Sequence, residues 1–333
     1  MTTRVGINGF GRIGRSFLRI ADDSDLEVVA INELTDTRTM AHLLKYDSTY
    51  GRFGRSVEYD ESSLTVDGRR IAVTAQRDPA ALDWSAYGVD VVIESTGKFR
   101  TREGAELHLK AGARKVLLSA PAKGDVDLTV VMGINDSAYD PELHDVISNA
   151  SCTTNCVAPM VKVLHDELGI DKAFMTTIHG YTSDQSLLDG PHKDLHRARA
   201  AAVNIIPTST GAARTTGLII ADVAGRIDGL AVRVPVEDAS LTDLTAIVDR
   251  TTTVEEVNEA FRVAADGPLT GLLRYNTDPI VSRDVIGDPA GCVFDATLTQ
   301  VNGELVKVFG WYDNEYGYTS RLVELCRLVG SSL

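Results

Sequence analysis

A chain of 333 residues with 44% hydrophobic side chains holds enough apolar material for about two globular domains at ~150 residues each. Its formal net charge of -14 excludes the basic footprint of a nucleic-acid or anionic-membrane binder, so neither partner is expected. No stretch approaches the ~20 uninterrupted apolar residues of a membrane helix. The opening Met1-Thr2-Thr3-Arg4-Val5-Gly6 lacks the regions of a secretory signal, which makes the cytoplasm the expected compartment. There the four cysteines, Cys152, Cys156, Cys292 and Cys326, are expected as free thiols. No Cys or His spacing completes a zinc set, so no metal is expected.

The first 150 residues alternate apolar strands with helical segments. Arg4 to Asn8 reads as a buried strand, Gly11 to Ala21 as a helix and Leu26 to Asn32 as the next strand. Val89 to Glu94, a helix over Thr101 to Ala111, then Lys115 to Ser119 and Leu128 to Met132 continue the pattern. Near-continuous Val/Ile/Leu strands between helices predict an α/β domain built on a doubly wound parallel sheet. The second half is richer in alternating strands: Ala173 to His179, Asp228 to Val236, Ser240 to Asp249, Cys292 to Val301 and Leu305 to Tyr312. Helices are expected over Cys152 to Leu168 and Val254 to Ala265. That half predicts an α+β domain on a mixed or antiparallel sheet. The boundaries expected are 1–150 and 151–315, with a C-terminal amphipathic helix at about 316–333 packing back on the first domain.

Gly9-Phe10-Gly11-Arg12-Ile13-Gly14 is a G-x-G-x-x-G element that follows a strand and opens a helix. In that place the glycines allow a tight turn, a close approach of backbone to a pyrophosphate, and helix–strand packing. The domain therefore reads as a Rossmann-type dinucleotide binder, with the helix N-terminus facing the phosphates. Glu33, about 20 residues on, is placed to accept from ribose hydroxyls and to repel a 2′-phosphate, which favours NAD over NADP. Taken alone, Glu33 also fits a solvated loop acid.

Ser151-Cys152-Thr153-Thr154-Asn155-Cys156 sits at a strand-to-helix junction. Ser151 fits an N-cap, which puts Cys152 in the first turn, where unsatisfied N–H groups favour a thiolate. Taken alone, Cys152 also fits a buried structural thiol. His179, at the end of a strand and before Gly180, is the candidate base; His192 and His196 lie in a polar loop and fit the role less well.

Together these residues resemble the glyceraldehyde-3-phosphate dehydrogenases. The resemblance rests on Asn8 to Arg15, Lys45-Tyr46-Asp47-Ser48, Glu94-Ser95-Thr96-Gly97, Ser148 to Cys156, Thr208 to Ala213, Arg233-Val234-Pro235 and Trp311 to Glu315. It implies Cys152 as nucleophile with His179 as its activating partner. It implies cofactor contacts at Gly9, Gly11, Arg12, Ile13, Gly14, Glu33, Arg77, Ser119 and Asn314. It implies phosphate contacts at Ser151, Thr153, Thr182, Arg197, Thr210, Gly211 and Arg233, in two anion sites for D-glyceraldehyde 3-phosphate and inorganic phosphate. NAD is the implied cofactor, and a homotetramer the implied assembly, in which Tyr181 to Ala201 lines a neighbour's cofactor site. Glu33 departs from the Asp usual in the family, and Arg214 from a common Lys. An erythrose-4-phosphate dehydrogenase, a relative that tends to carry Glu at the ribose position, is one alternative. A redox-sensing or partner-binding protein using the same thiolate is another.

Overall fold

A computed structural model describes residues 2–22 and 24–333; Met1 and Asp23 lie outside the described residues. The chain divides into two compact units. The first takes the chain up to Val130, Asp136–Ala150 and Thr319–Leu333; the second takes Val131–Asn135 and Ser151–Tyr318. Among the described residues no helix is long and apolar enough to cross a membrane.

The first unit begins with strand β1 (Thr3–Asn8), helix α1 (Arg12–Ala21), β2 (Leu26–Asn32) and helix α2 (Thr37–Lys45). Then come β3 (Val57–Asp60), β4 (Ser63–Val66), β5 (Arg69–Thr74), β6 (Val91–Glu94) and helix α3 (Arg102–Lys110). Strands β7 (Lys115–Leu118), β8 (Leu128–Thr129) and β9 (Val146–Ser148) complete its sheet. The spatial order is β8-β9-β7-β6-β1-β2-β5-β4-β3. All neighbours from β8 to β5 run parallel, and the central strands are buried nearly throughout because both faces are covered.

Strands β4 and β3 extend one edge antiparallel, which the apolar-run reading of the sequence passes over. Three of the four β3 residues are exposed, Glu58, Tyr59 and Asp60, and β4 interleaves Ser63 and Thr65 with Leu64 and Val66, so neither carries the continuous Val/Ile/Leu signature. The hairpin signal is instead the pair Asp67-Gly68, both at positive φ (45° and 80°), the backbone of a two-residue turn that matches strand twist.

The second unit holds α4 (Cys152–Leu168), β10 (Lys172–Gly180), β11 (Ile206–Ser209), α5 (Ala212–Ile219), β12 (Ile227–Val234) and β13 (Ser240–Ile247). It continues with α6 (Val254–Asp266), β14 (Leu273–Asn276), β15 (Cys292–Asp295), β16 (Gln300–Asn302), β17 (Leu305–Tyr312) and the start of α7 (Tyr316–Gly330). Its sheet is mixed, in the order β11-β12-β10-β13-β17-β15-β14, with β16 beside β17. Strands β13 and β17 alternate buried with partly exposed residues, the period of a sheet packed mainly on one face. The single strand expected over Cys292 to Val301 is broken. Asp295 caps a 3₁₀ turn at Ala296–Leu298 by accepting from the Thr297 N–H, and that turn separates β15 from β16.

Helix α4 is buried around most of its circumference, as a helix running through a core must be. Cys156, Val157, Met160, Val161 and Leu164 pack there against Leu244, Phe294, Val306 and Val308. Gly310 on β17 makes this approach possible. A Cβ at that position would lie 2.7 Å from the sulfurs of Cys292 and Met160 and 2.9 Å from that of Cys156. Gly310→Ala is therefore expected to overpack the core and cost about 1–3 kcal/mol, read as a lower urea midpoint. An unchanged midpoint would show that the sulfurs move aside freely.

Candidate active site

The glycine loop of the first unit has the geometry its motif requires. Gly9 adopts φ +94°, and a Cβ there would sit 2.8 Å from the Thr96 nitrogen. A Cβ on Gly14 would collide with the Gly9 carbonyl oxygen, whereas one on Gly11 would meet nothing within 4 Å. The turn and the helix–strand contact are thus closed to side chains, and the middle position is open to an incoming group. No side chain caps the first turn of α1 at Gly11, so its N–H groups face an anion-compatible opening that fits a pyrophosphate. The Glu33 carboxylate accepts from Phe10 N–H at 2.7 Å, Leu34 N–H at 2.7 Å and Thr35 N–H at 3.3 Å. It therefore holds the loop that it borders, and a carboxylate retains acceptor capacity beyond three bonds. Arg12 pairs with Asp47 and lies over the Tyr50 ring, Ile13 is half-buried in α1, and Arg77 is exposed just after β5. Ser119 follows β7 and donates its N–H to the Glu94 carbonyl.

In the second unit Ser151 caps α4 by accepting from the Thr154 N–H at 3.0 Å. Ala150, immediately before it, is held at φ +55°, a conformation costing an alanine about 1–3 kcal/mol. Cys152 is thereby fixed in the first turn. Its Sγ lies 3.4 Å from His179 Nε2, and His179, at the end of β10, is 3% exposed. The Arg233 guanidinium, from the neighbouring parallel strand β12, reaches His179 Nδ1 at 2.8 Å and the Gly180 carbonyl at 3.0 Å. Register places Arg233 directly opposite His179.

The expected anion contacts fall into different situations. Arg197 binds Asp184 at 2.7 Å and the Thr208 hydroxyl at 2.9 Å, and the Thr182 hydroxyl donates to the same Asp184. Gly211 is the N-cap of α5, with no side-chain cap and open space around its Cα; the Thr210 hydroxyl accepts from Ala212 N–H at 3.2 Å. The hydroxyls of Ser151 and Thr153 are engaged internally, Ser151 with Thr154 and Thr153 with the Tyr312 hydroxyl at 2.9 Å. The Asn314 carboxamide oxygen accepts from Ser240 at 2.7 Å.

Three participants are absent from the sequence reading. Tyr312 bridges Thr153 and Thr177 (2.7 Å) and stands edge-on to His179. Asp184 gathers Thr182 and Arg197, and Ser240 holds Asn314. Tyr312 lies inside a motif that the family resemblance quotes, but a tyrosine at a strand end carries no signal for a contact 159 residues away. Asp184, two residues past Thr182, looked like any loop acid.

Two effects oppose each other at Cys152, the helix N-terminus that favours a thiolate and the burial that disfavours it. Burial pushes the Cys152 thiol up, to about 11, against the pull of the Arg233 charge and of hydrogen bonds from Thr153. Burial and then the Arg233 charge push the His179 imidazole down, to about 3. Desolvation thus works against the helix N-terminus, opposing charge on the thiol and on the imidazole alike. Although burial works against it, hydrogen bonding from Thr182 and the charges of Arg197 and Arg233 hold the Asp184 carboxyl below its usual range. The His179 shift has a consequence for stability. Its folded value lies below its ordinary 6.5, so the unfolded chain binds the proton first. The corresponding stability is fully present above that ordinary value and is lost as the pH falls towards the folded one, at about 1.4 kcal/mol per pH unit. The urea midpoint of the parent is expected to fall more steeply below pH 6.5 than that of His179→Asn; equal slopes would remove the argument.

Residues 3–102 match the family model described as glyceraldehyde 3-phosphate dehydrogenase, NAD binding domain, and residues 151–314 match that of the C-terminal domain. The chain is 58% identical to glyceraldehyde-3-phosphate dehydrogenase 2 of Streptomyces arenae over 335 aligned positions, covering 100% of both chains. It is 57% identical to the glyceraldehyde-3-phosphate dehydrogenase of Streptomyces coelicolor, again over 100% of both. It is 54% identical to that of Geobacillus stearothermophilus over 99% of both. With both family models matched in order and full-length identity above half, the chain belongs to the glyceraldehyde-3-phosphate dehydrogenase family.

Proposed function

We propose that the chain oxidises D-glyceraldehyde 3-phosphate to 1,3-bisphosphoglycerate with NAD and inorganic phosphate, in glycolysis or gluconeogenesis. The observation that carries this is the pairing of Cys152 Sγ with His179 Nε2 at 3.4 Å, beside Arg233. The proposed division of labour follows residues 1–150 with 316–333 for the cofactor and 151–315 for catalysis. Gly9, Gly11, Arg12, Ile13, Gly14, Glu33, Arg77, Ser119 and Asn314 would hold NAD, which when bound supplies the acceptor for the hydride lost by the substrate carbon.

The chain's own part begins at Sγ. His179 Nε2 takes the thiol proton and keeps the thiolate populated by ion pairing as Sγ bonds to the aldehyde carbon. The protonated His179 and the Cys152 N–H then face the oxygen that gains negative charge. Thr182, Arg197 and Arg233 bind the substrate phosphate, the arginines by planar, charge-assisted forks. Ser151, Thr153, Thr210 and Gly211 serve the inorganic phosphate that opens the thioester on Sγ. Ser151 and Thr153 would keep their present partners and accept or donate through their remaining hydroxyl capacity. In an absorbance assay at the reduced-nicotinamide band, NAD reduction should need phosphate and favour glyceraldehyde 3-phosphate over erythrose 4-phosphate. Cys152→Ser should abolish turnover, and His179→Asn should slow it by about 10²–10⁴. Indifference to phosphate, or preference for the tetrose, would overturn this function.

A cytoplasmic homotetramer is part of the same proposal. Leu187, Leu188 and Leu195 are 83%, 79% and 80% exposed, and Phe174 on β10 is 73% exposed. Apolar side chains this bare, in one loop and on one sheet face, call for cover by other copies. Sedimentation should return the mass of four 35.9 kDa chains, and Leu187→Asp combined with Leu188→Asp should lower it; a monomeric parent would refute the assembly.

A further inference from the structure

Ser240 opens β13 where it runs between two other strands. It stands opposite His179 of β10 on one side and opposite Tyr312 of β17 on the other. Its hydroxyl accepts from the Gly180 N–H at 3.2 Å and donates to the Asn314 carboxamide oxygen at 2.7 Å. The direction of these bonds is forced. A backbone N–H can only donate, so the Gly180 bond takes an acceptor position on the oxygen and leaves the single hydroxyl proton to be given away. Among the described residues that proton goes to Oδ1 of Asn314. Turned over, the carboxamide would set an N–H against the hydroxyl and leave its proton without an acceptor. Ser240 is buried, and an unmet donor is costly there. Oδ1 is thereby engaged inward, whereas Nδ2 forms no hydrogen bond among the described residues and is not enclosed. Ala239, directly before Ser240, holds φ +68°, a state that an alanine keeps only where its surroundings over-determine it and that gathers at functional sites. The fully buried Asp238 helps to fix it by accepting from the Ala239 N–H at 2.8 Å.

Resting on the reading of Asn314 as a cofactor contact, we propose that Ser240 is a positioning residue that fixes the Asn314 carboxamide with its N–H pair outward, so that the chain reads the carbonyl oxygen of the nicotinamide carboxamide and not its amino group. An N–H can meet only an acceptor, and on the ring amide of the cofactor that acceptor is the oxygen. The same Ser240 oxygen takes the N–H of the residue after His179, so the end of the histidine strand and the group that reads the cofactor are held by one atom. Two directional bonds to that atom define their separation, which apolar contacts alone would leave loose. The resulting selectivity is specific. A dinucleotide whose pyridine ring carries an acetyl group keeps the oxygen and lacks the amino group, and it meets every demand that Asn314 makes.

The test is calorimetric titration of the full-length protein with NAD, with its acetylpyridine analogue and with ADP-ribose, which has no pyridine ring. In the parent the analogue should bind within about threefold of NAD, since no group of the chain asks for the missing amino group. Ser240→Ala frees the carboxamide to turn over. Either orientation then suits NAD, whose ring amide has both a donor and an acceptor, and only one suits the analogue. The analogue should therefore weaken by about three- to tenfold, more than NAD does, while ADP-ribose stays within about twofold of its parent value. Ser240→Thr, which keeps the hydroxyl, should restore the parent pattern. In an Asn314→Ala background Ser240→Ala should add nothing, because the two residues act through one contact. Equal weakening of all three ligands by Ser240→Ala would make the hydroxyl a general support of the fold and overturn the proposal. So would a parent that rejects the analogue by more than about threefold. If Asn314→Ala weakens NAD and Ser240→Ala does not disturb the analogue, the proposal falls and the reading of Asn314 stands. If Asn314→Ala leaves NAD binding unchanged, both fall. The parent comparison decides the matter even where Ser240→Ala fails to fold.

Discussion

A single buried phenol holds Cys152 and His179 of the second unit in register. The Tyr312 hydroxyl bonds both Thr153, the residue after Cys152 on α4, and Thr177, two residues before His179 on β10. Helix and strand could otherwise slide by fractions of an ångström while preserving their apolar contacts, because dispersion is not directional. Hydrogen bonds are directional, and two to one oxygen define the separation. Burial pushes the Tyr312 phenol up, so it stays protonated and keeps both roles open. The same ring stands edge-on to His179, which limits the plane in which the imidazole rests.

The first unit solves its corresponding problem with a polar ladder across the carboxyl ends of its central strands. Thr74 donates to Asn32, Asn32 to Asn8, and Asn8 to Glu94 at 2.6 Å. Glu94 meets His108 at 3.1 Å, and Trp84 donates to the other ring nitrogen of that histidine at 3.0 Å. The Trp84 bond leaves the remaining proton of a neutral His108 on the side of Glu94, so donors and acceptors match along the row. The other Glu94 oxygen accepts from the Thr96 N–H, and Ser95 donates to the Gly9 carbonyl. The glycine turn therefore rests on a satisfied buried network, the kind that rigidifies a core when no member lacks a partner.

Charge is organised against the grain of the whole chain. A protein of net charge -14 repels phosphorylated ligands at long range. Around Cys152 the balance reverses, because Arg233 and Arg197 approach from β12 and from the loop after β10. Asp184 is the local counter-charge that offsets the repulsion between Arg197 and Arg233, and it also accepts from the Thr182 hydroxyl. Burial there opposes charge on both the Cys152 thiol and the His179 imidazole.

The sequence by itself determined the period of the elements, the glycine turn and the cap at Ser151. These depend on neighbours within a few residues, where propensity, capping and backbone freedom act. The antiparallel edge of the first sheet was written in Asp67-Gly68 yet hidden by polar exposed positions, and the break at Asp295 lay in one side-chain cap. Only the tertiary structure decided that Arg233 stands opposite His179, that Tyr312 joins two threonines, and that Asp184 gathers Thr182 and Arg197. Those are contacts between residues far apart in the chain, fixed by strand register and by the volume of a buried helix, and local sequence carries no term for either. The desolvation that opposes charge on Cys152 and His179 likewise exists only once the chain has folded around them.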